Sequence, residues 1–270
     1  MEFQDKTVVI TGGASGIGAA LARMMVARGG RVAILDRKDA LVRTASDAIG
    51  CMGLRCDVSV EAGVQACIRE ISETLGEIDI FVSNAGVFEG QSGHVASAPD
   101  DIWLRNWSVH VMAHVYAARA LLPGMIARGS GYFVNVTSAA GLLNQIGDAA
   151  YSATKHAAVS FAESLAISHG DDGIGVSVVC PQYVATPLIG LGASDTKDHA
   201  DLLTAEEVAL SIIAGIECRQ FLILPNPAVA LYAQRRAEDH DRWIEGMRRL
   251  RAKSLSQLGA SQVAELYRLV

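Results

Sequence analysis

Tyr151 and Lys155 stand four positions apart in "YSATKHAAV", so on a helix they project from one face and can act on the same ligand. A tyrosine is a poor base near neutral pH, because its reference pKa is about 10, and bringing it to about 7 takes roughly 4 kcal/mol of preferential stabilisation of the phenolate. The Lys155 ammonium supplies part of that, since a nearby opposite charge favours the ionised form. Ser138 lies thirteen positions upstream, at the end of a strand-like run, where its hydroxyl can hold and orient a reacting oxygen. The three together suit proton transfer to or from a hydroxyl or carbonyl oxygen, with Tyr151 as general acid/base.

A second pattern, "WSVHVMAHVY", puts His110 and His114 one helical turn apart. A metal site would need a third ligand, and H-x-x-x-H without Glu in the second place is not the metalloprotease pattern, so no metal is expected. Trp103, Trp107, His110 and His114 form one helical stripe, which points to core packing or a subunit interface for His114.

These side chains need elements to position them. Short β-branched runs at 7–11, 31–36, 54–58, 78–84, 131–138, 175–181 and 220–225 predict seven strands. Amphipathic stretches at 16–29, 60–75, 100–128, 151–169 and 204–217 predict the helices between them. Strand runs that are apolar throughout imply a sheet covered on both faces, so the fold class is α/β: a Rossmann-type, doubly wound, seven-stranded parallel sheet with helices on both faces. From about Pro227 the composition shifts to the charge-laced "AQRRAEDHDRWIEGMRRLRAK", in which Trp243, Met247 and Leu250 share one helical face. Residues 1–226 are therefore read as the α/β domain and 227–270 as a C-terminal helical extension, a lid or an oligomer contact.

Half of the 270 residues are hydrophobic and 19% are charged, which describes a globular protein rather than a disordered one. A net charge of −6 leaves no footprint for a polyanion, so nucleic acid and acidic membrane surfaces are not expected partners. The most apolar long stretch, 175–193, is broken by two prolines and cannot span a bilayer. Cys51, Cys56, Cys67, Cys180 and Cys218 are odd in number and share no C-x-x-C spacing, which predicts reduced thiols. With the first strand starting at Thr7 and no room for a signal peptide before it, a cytoplasmic location is expected.

"VVITGGASGIGAALARMM" places Gly12, Gly16 and Gly18 between the first strand and the first helix, where a backbone free of side chains can turn tightly and approach a pyrophosphate. The helix N-terminus there, opening at Ser15, Gly16 and Ile17, would hold that charge. Asp36 ends the second strand twenty positions past Gly16, where an acidic group meets adenosine ribose hydroxyls and repels a 2′-phosphate. NAD is favoured on that ground, although Arg37 beside it could pair with the phosphate of NADP.

Thr11-Gly12-x-x-x-Gly16-x-Gly18, "NAG" at 84–86, Ser138 and Tyr151-x-x-x-Lys155 together resemble the short-chain dehydrogenase/reductase family, classical subgroup, over residues 5–225. The resemblance implies that Asp57 and Val58 flank the adenine and that Asn84, Ala85 and Gly86 lie along the adenosine side of the cofactor. "PQYVATP" resembles the family's Pro-Gly-x-Val-x-Thr segment, which implies that Pro181, Val184 and Thr186 border the nicotinamide; Gln182 replaces the usual glycine. Tyr151 would take the hydroxyl proton while hydride passes to the nicotinamide, Lys155 would hold the nicotinamide ribose, and Ser138 would bind the substrate oxygen. Counting back thirteen from Pro123 and forward seven from Trp103, His110 occupies the position of the family's relay Asn. It replaces that residue by hydrogen bonding, replaces it by carrying the proton itself, or fills space.

The expected activity is oxidation of a small to medium hydrophobic secondary alcohol, or reduction of the matching ketone, in a homodimer or homotetramer built partly on helices 100–128 and 151–169. Rival readings are an NADP-preferring ketoreductase and a non-catalytic dinucleotide sensor or scaffold. Segment 188–204 is expected to form a substrate lid, and no charged anchor for a carboxylated substrate or a coenzyme A ester can be placed in the sequence.

Overall fold

Strands β1 (Thr7–Thr11), β2 (Arg31–Asp36), β3 (Met52–Arg55), β4 (Ile80–Ser83), β5 (Gly131–Val136) and β6 (Ile174–Val179) run parallel. A short pair, β7 (Tyr183–Ala185) and β8 (Leu202–Thr204), stands apart, and β9 (Leu222–Ile223) closes the main sheet. The order is β3-β2-β1-β4-β5-β6-β9, so the chain winds outward from β1 to one edge and returns to the other side at β4. The crevice at the carboxyl ends of β1 and β4, where the winding reverses, is where such sheets bind ligands. This computed structural model describes residues 2–90, 93–199, 201–259 and 263–269; Ala200, within the segment expected to form a lid, and residues 260–262 and 270 of the tail lie outside the described residues.

The helices are α1 (Gly16–Ala27), α2 (Asp39–Ile49), α3 (Glu61–Leu75), α4 (Asp100–Trp107), α5 (Ala113–Ala127), α6 (Ala140–Leu143), α7 (Ala149–His169), α8 (Ala205–Glu217), α9 (Ala228–Glu238) and α10 (His240–Leu258). Successive strand residues point to opposite faces, and both faces are covered. Val8, Ile10, Ile34 and Val134 pack with α1 and α8 through Leu21, Val208 and Ile212. Val9, Phe81 and Phe133 pack on the other side with α3, α5 and α7 through Ile71, Leu121 and Ala162. That two-sided burial is why the strand runs read as largely continuous apolar stretches and not as an alternation of apolar and polar residues.

Three sequence readings need correction. The third strand occupies 52–55 and not 54–58, because it is the sheet's partly exposed edge; Cys56 and Val58 are buried as loop residues beyond it. Helix α2 was not predicted, since its buried face consists of only Val42 and Ser46 backed by Ala45 and Ile49. The helix read across 100–128 is interrupted by a π-helical turn at Ser108–Met112, which slips the stripe. Trp107 is consequently 47% exposed while Val109, His110, Val111 and His114 are buried, so the tryptophan and the histidines do not share a face.

The tail is two helices. On α9, Val229 and Tyr232 pack with Ala139 and Leu143, and Arg236 donates to the Leu142 carbonyl and to Nε2 of His156 on α7, the latter at 3.3 Å. A 3-10 turn at Val263–Arg268 sets Tyr267 against Tyr183 and His199. Segment 188–204 is pinned at its far end, where Leu202 to Thr204 pair with Tyr183 to Ala185. Among the described residues, no helix is long and apolar enough to cross a membrane.

Candidate active site

The turn between β1 and α1 takes a left-handed backbone at Gly12 (φ +62°) and Gly16 (φ +52°), which glycine adopts at no steric cost. It is clasped from β4. Thr11 Oγ1 accepts the amides of Asn84 (2.9 Å) and Ala85 (3.0 Å), and Asn84 Nδ2 donates to the carbonyls of Thr11 (2.9 Å) and Gly12 (3.2 Å). A Cβ on Gly18 would sit 2.4 Å from the Gly12 carbonyl oxygen and 2.7 Å from Asn84 Nδ2, so this glycine lets the helix approach the turn. Ser15, at the N-cap of α1, makes no side-chain cap, which leaves the first-turn amides for a ligand.

A cleft of about 370 Å³ opens over this turn. Its lining includes Gly12, Ser15, Gly16, Ile17, Asp36, Arg37, Asp57, Val58, Asn84, Ala85, Gly86, Ser138, Tyr151, Lys155, Pro181, Val184 and Thr186. Two residues singled out from the sequence are not in that lining: Gly18, which lies beneath the turn, and His110, the relay candidate, which is buried behind it. The Asp36 carboxylate accepts the Lys38 amide at 3.3 Å. Asp57 Oδ1 is held by the amide and hydroxyl of Ser59 at 3.0 and 2.6 Å, so this carboxylate shapes its own loop.

At the other end of the cleft α7 begins. Asp148 caps it: Oδ1 accepts the Tyr151 amide at 3.0 Å, while Oδ2 accepts the Gly90 amide at 2.9 Å. Tyr151 and Lys155 follow on one face, with the Lys155 ammonium 5.5 Å from the Tyr151 ring centre and donating to the Val136 carbonyl at 3.3 Å. Burial pushes the Tyr151 phenol up to about 12; a hydrogen bond from Ser138 draws it down and the Asp148 carboxylate adds to the rise. Burial pulls the Lys155 ammonium down to about 8. The phenol is thus held protonated near neutral pH, and further positive charge in the cleft would favour the phenolate.

His110 is fully buried and both ring nitrogens are engaged. Nε2 accepts the Val87 amide at 3.0 Å, so the neutral ring carries its proton on Nδ1 and donates it to Thr154 Oγ1, also at 3.0 Å. The Thr154 hydroxyl in turn faces the carbonyls of Ala150 and Tyr151. Burial, then Lys155, then His114 hold the imidazole well below its ordinary pKa. Of the roles left open by the sequence, hydrogen bonding is the one this geometry serves; carrying a second proton would displace the Val87 amide. The ring stands edge-on to Tyr151, centres 5.3 Å apart, and ties the 86–90 loop to α7. His114 is held neutral, at about 3, by burial and then by Lys155.

A second cavity of about 700 Å³ shares Ser138, Gln145, Gln182 and Tyr183 with the first. The Tyr183 hydroxyl lies 3.3 Å from Gln145 Nε2, and burial pushes this phenol up to about 12. Gln182 donates its amide to Asn226 Oδ1 at 3.0 Å, and its φ is not positive, so the family's glycine is dispensable here without backbone strain. Sequence reasoning missed Asp148, Gln145 and Tyr183. An Asp three positions before Tyr151 is a recognisable N-cap signal; the pair at the cavity junction has none, because 38 positions separate Gln145 from Tyr183.

A family profile described as short chain dehydrogenase matches residues 6–195. Meso-2,3-butanediol dehydrogenase of Serratia marcescens is 34% identical over 220 residues, covering 80% of this chain and 85% of that protein. The 3beta-hydroxysteroid dehydrogenase of Mediterraneibacter gnavus is 32% identical over 209 residues, 76% of this chain and 75% of the other. A solved short chain dehydrogenase/reductase from Burkholderia phymatum, in complex with NAD, matches with a TM-score of 0.80 at 28% identity, covering 89% of this chain and 96% of that one. Sheet order, glycine turn, the Ser138–Tyr151–Lys155 cluster and these matches agree, and the chain belongs to the short-chain dehydrogenase/reductase family of oxidoreductases.

Proposed function

We propose that the protein interconverts a secondary alcohol and its ketone, with NAD preferred over NADP. The observation that carries this reading is one cleft that has Ser138, Tyr151 and Lys155 at one end and Asp36, at the tip of β2, in its lining. The residues fit a dinucleotide: a Cβ on Gly16 would meet Thr186 at 3.2 Å, so the turn offers backbone alone to a pyrophosphate. When bound, the nicotinamide accepts or supplies the hydride.

The chain's residues do the rest. Gly12, Ser15, Gly16 and Ile17 receive the pyrophosphate; Asp36 takes the ribose hydroxyls and repels a 2′-phosphate; Asp57 and Val58 border the adenine; Asn84, Ala85 and Gly86 run along the adenosine side. Pro181, Val184 and Thr186 border the nicotinamide. Ser138 holds the substrate oxygen, and Tyr151 takes its proton or returns one. Moving a phenol from about 12 to about 7 requires roughly 7 kcal/mol in favour of phenolate, more than its reference value alone would demand. Lys155, which also holds the nicotinamide ribose, contributes to that. Arg37 on the same cleft keeps NADP as a second reading.

The same reading includes a cytoplasmic homo-oligomer, a tetramer or dimer. Free cysteines and the exposed Leu104, Trp107 and Ile167 on α4 and α7 support it. Residues 1–226 form its catalytic unit, and 227–270 wall the substrate cavity. In the test, Tyr151→Phe lowers turnover of secondary alcohols with NAD⁺ by about 10²- to 10⁴-fold and keeps dinucleotide binding. Near-parental turnover in that variant removes the assignment; dinucleotide binding by the parent with no turnover of any alcohol leaves a sensor.

A further inference from the structure

The tail builds one wall of the larger cavity. Arg235, Arg242 and Arg249 lie in its lining together with Trp243, Met247 and Leu250, and Leu143 and Ile146 line the side belonging to the body. A cavity of about 700 Å³ is of the size that takes a drug-sized ligand, far more than an alcohol of a few carbons needs. Its lining mixes apolar side chains with charged ones, and the charged ones all stand on the wall that the tail supplies.

Three guanidiniums face two carboxylates in that lining, which leaves a modest positive excess. The carboxylates keep their charge but bond to neutral donors: Glu238 accepts Gln234 Nε2 at 2.8 Å, and Asp239 Oδ1 accepts the Arg242 amide as the N-cap of α10. Arg249 reaches Glu245 at 3.9 Å. Arg235 and Arg242 form no ion pair among the described residues. Arg236, between them in sequence, is committed to Leu142 and His156 and so fixes α9 against α7 with the neighbouring guanidinium at the cavity. An arginine fork is shaped to receive a planar or tetrahedral oxyanion through paired hydrogen bonds.

We infer that the substrate carries its alcohol at one end of a largely apolar body and an oxyanion at the other, and that Arg242, with Arg235, holds that oxyanion while Ser138 faces the alcohol. This rests on the alcohol–ketone activity proposed above and supplies the charged anchor that the sequence alone did not reveal. The two arginines are specificity-determining residues, remote from the reacting carbon. Carboxylate, sulfonate and phosphate share the required chemistry.

The experiment compares kcat/KM with NAD⁺ for 9-hydroxydecanoate, its methyl ester, 2-decanol and the 1-phosphate of decane-1,9-diol, in the parent and in a double variant, Arg235→Gln with Arg242→Gln. The expected result is an advantage of about tenfold or more for an anionic probe over the neutral ones in the parent, lost in the double variant through a higher KM, with the neutral probes unchanged. Whichever anion leads, carboxylate or phosphate, names the source. Equal or better use of the neutral ester, or an equal loss for all probes, overturns the inference. Calorimetric binding of decanoate against decanol to the NAD⁺-loaded enzyme gives a readout independent of turnover. Absence of turnover with every probe removes the proposed activity, whereas decanoate binding no tighter than decanol removes the oxyanion site.

Discussion

Replacing Lys155 with Met should stabilise the cofactor-free protein near neutral pH while removing its activity. The ammonium is buried, donates to one carbonyl at 3.3 Å and pairs with no carboxylate among the described residues. Its pKa falls from an ordinary 10.5 to about 8. A base whose folded pKa is depressed costs stability while it is charged. The cost is full below the folded value and fades as pH rises towards the unfolded one, because the unfolded chain still holds its proton there. The shift corresponds to about 3 kcal/mol at about pH 7, shrinking by roughly 2 kcal/mol at about pH 9.5. Methionine removes the charge and forfeits a hydrogen bond worth about 1 kcal/mol, for a net gain of about 2 kcal/mol near pH 7 that vanishes by about pH 9.5. Urea unfolding across this range, read as the difference between variant and parent so that other titrations cancel, measures it. A variant less stable than the parent near neutrality, or a difference that does not change with pH, would refute the reasoning.

Three further outcomes follow from the same geometry. His110→Asn should cost about 1–2 kcal/mol of stability, since Asn cannot serve both Val87 and Thr154, yet leave the midpoint of the pH–rate profile within about 0.3 unit; a shift of a full unit would mean that the ring carries protons. Gly18→Ala drives a Cβ into the Gly12 carbonyl, a backbone atom that cannot swing aside, and should weaken dinucleotide binding by about tenfold or more through a strain of roughly 1–3 kcal/mol; an unchanged Kd in a fluorescence titration would contradict this. Asp36→Ala, with Arg37 retained, should narrow the preference for NAD⁺ over NADP⁺ by about tenfold, worth roughly 1.4 kcal/mol; an unchanged ratio would deny Asp36 that role.

The sheet and the cleft were legible because each rests on local pattern. Apolar runs such as Thr7–Thr11 and Arg31–Asp36 mark strands covered on both faces, and the spacing of Gly12, Gly16, Asp36, Ser138, Tyr151 and Lys155 follows from where strand ends fall in such a sheet. Legibility failed where partners are distant or the local signal is thin. Helix α2 has too narrow an apolar face to announce itself, and the β7–β8 pair joins two three-residue strands that are distant in sequence. Gln145 meets Tyr183 only after folding. The tail showed an apolar face at Trp243, Met247 and Leu250, but which cavity that face would line, and that Arg235 and Arg242 would accompany it, depends on how Arg236 docks on α7.

The π-helical turn at Ser108–Met112 has a consequence for how this helix tolerates change in length. It accommodates one residue more than an α-helical path over the same span, and that surplus separates the outward Trp107 from the inward Val109, His110 and Val111. Deleting a single residue between Trp107 and His110 would restore regular winding and rotate one half of the helix against the other by about 100°. With α4 held in place, the imidazole would leave Val87 and Thr154; with α5 held, Trp107 would be driven toward the core. Deletion of Ser108 would therefore act as an active-site mutation while removing no side chain that lines the cleft.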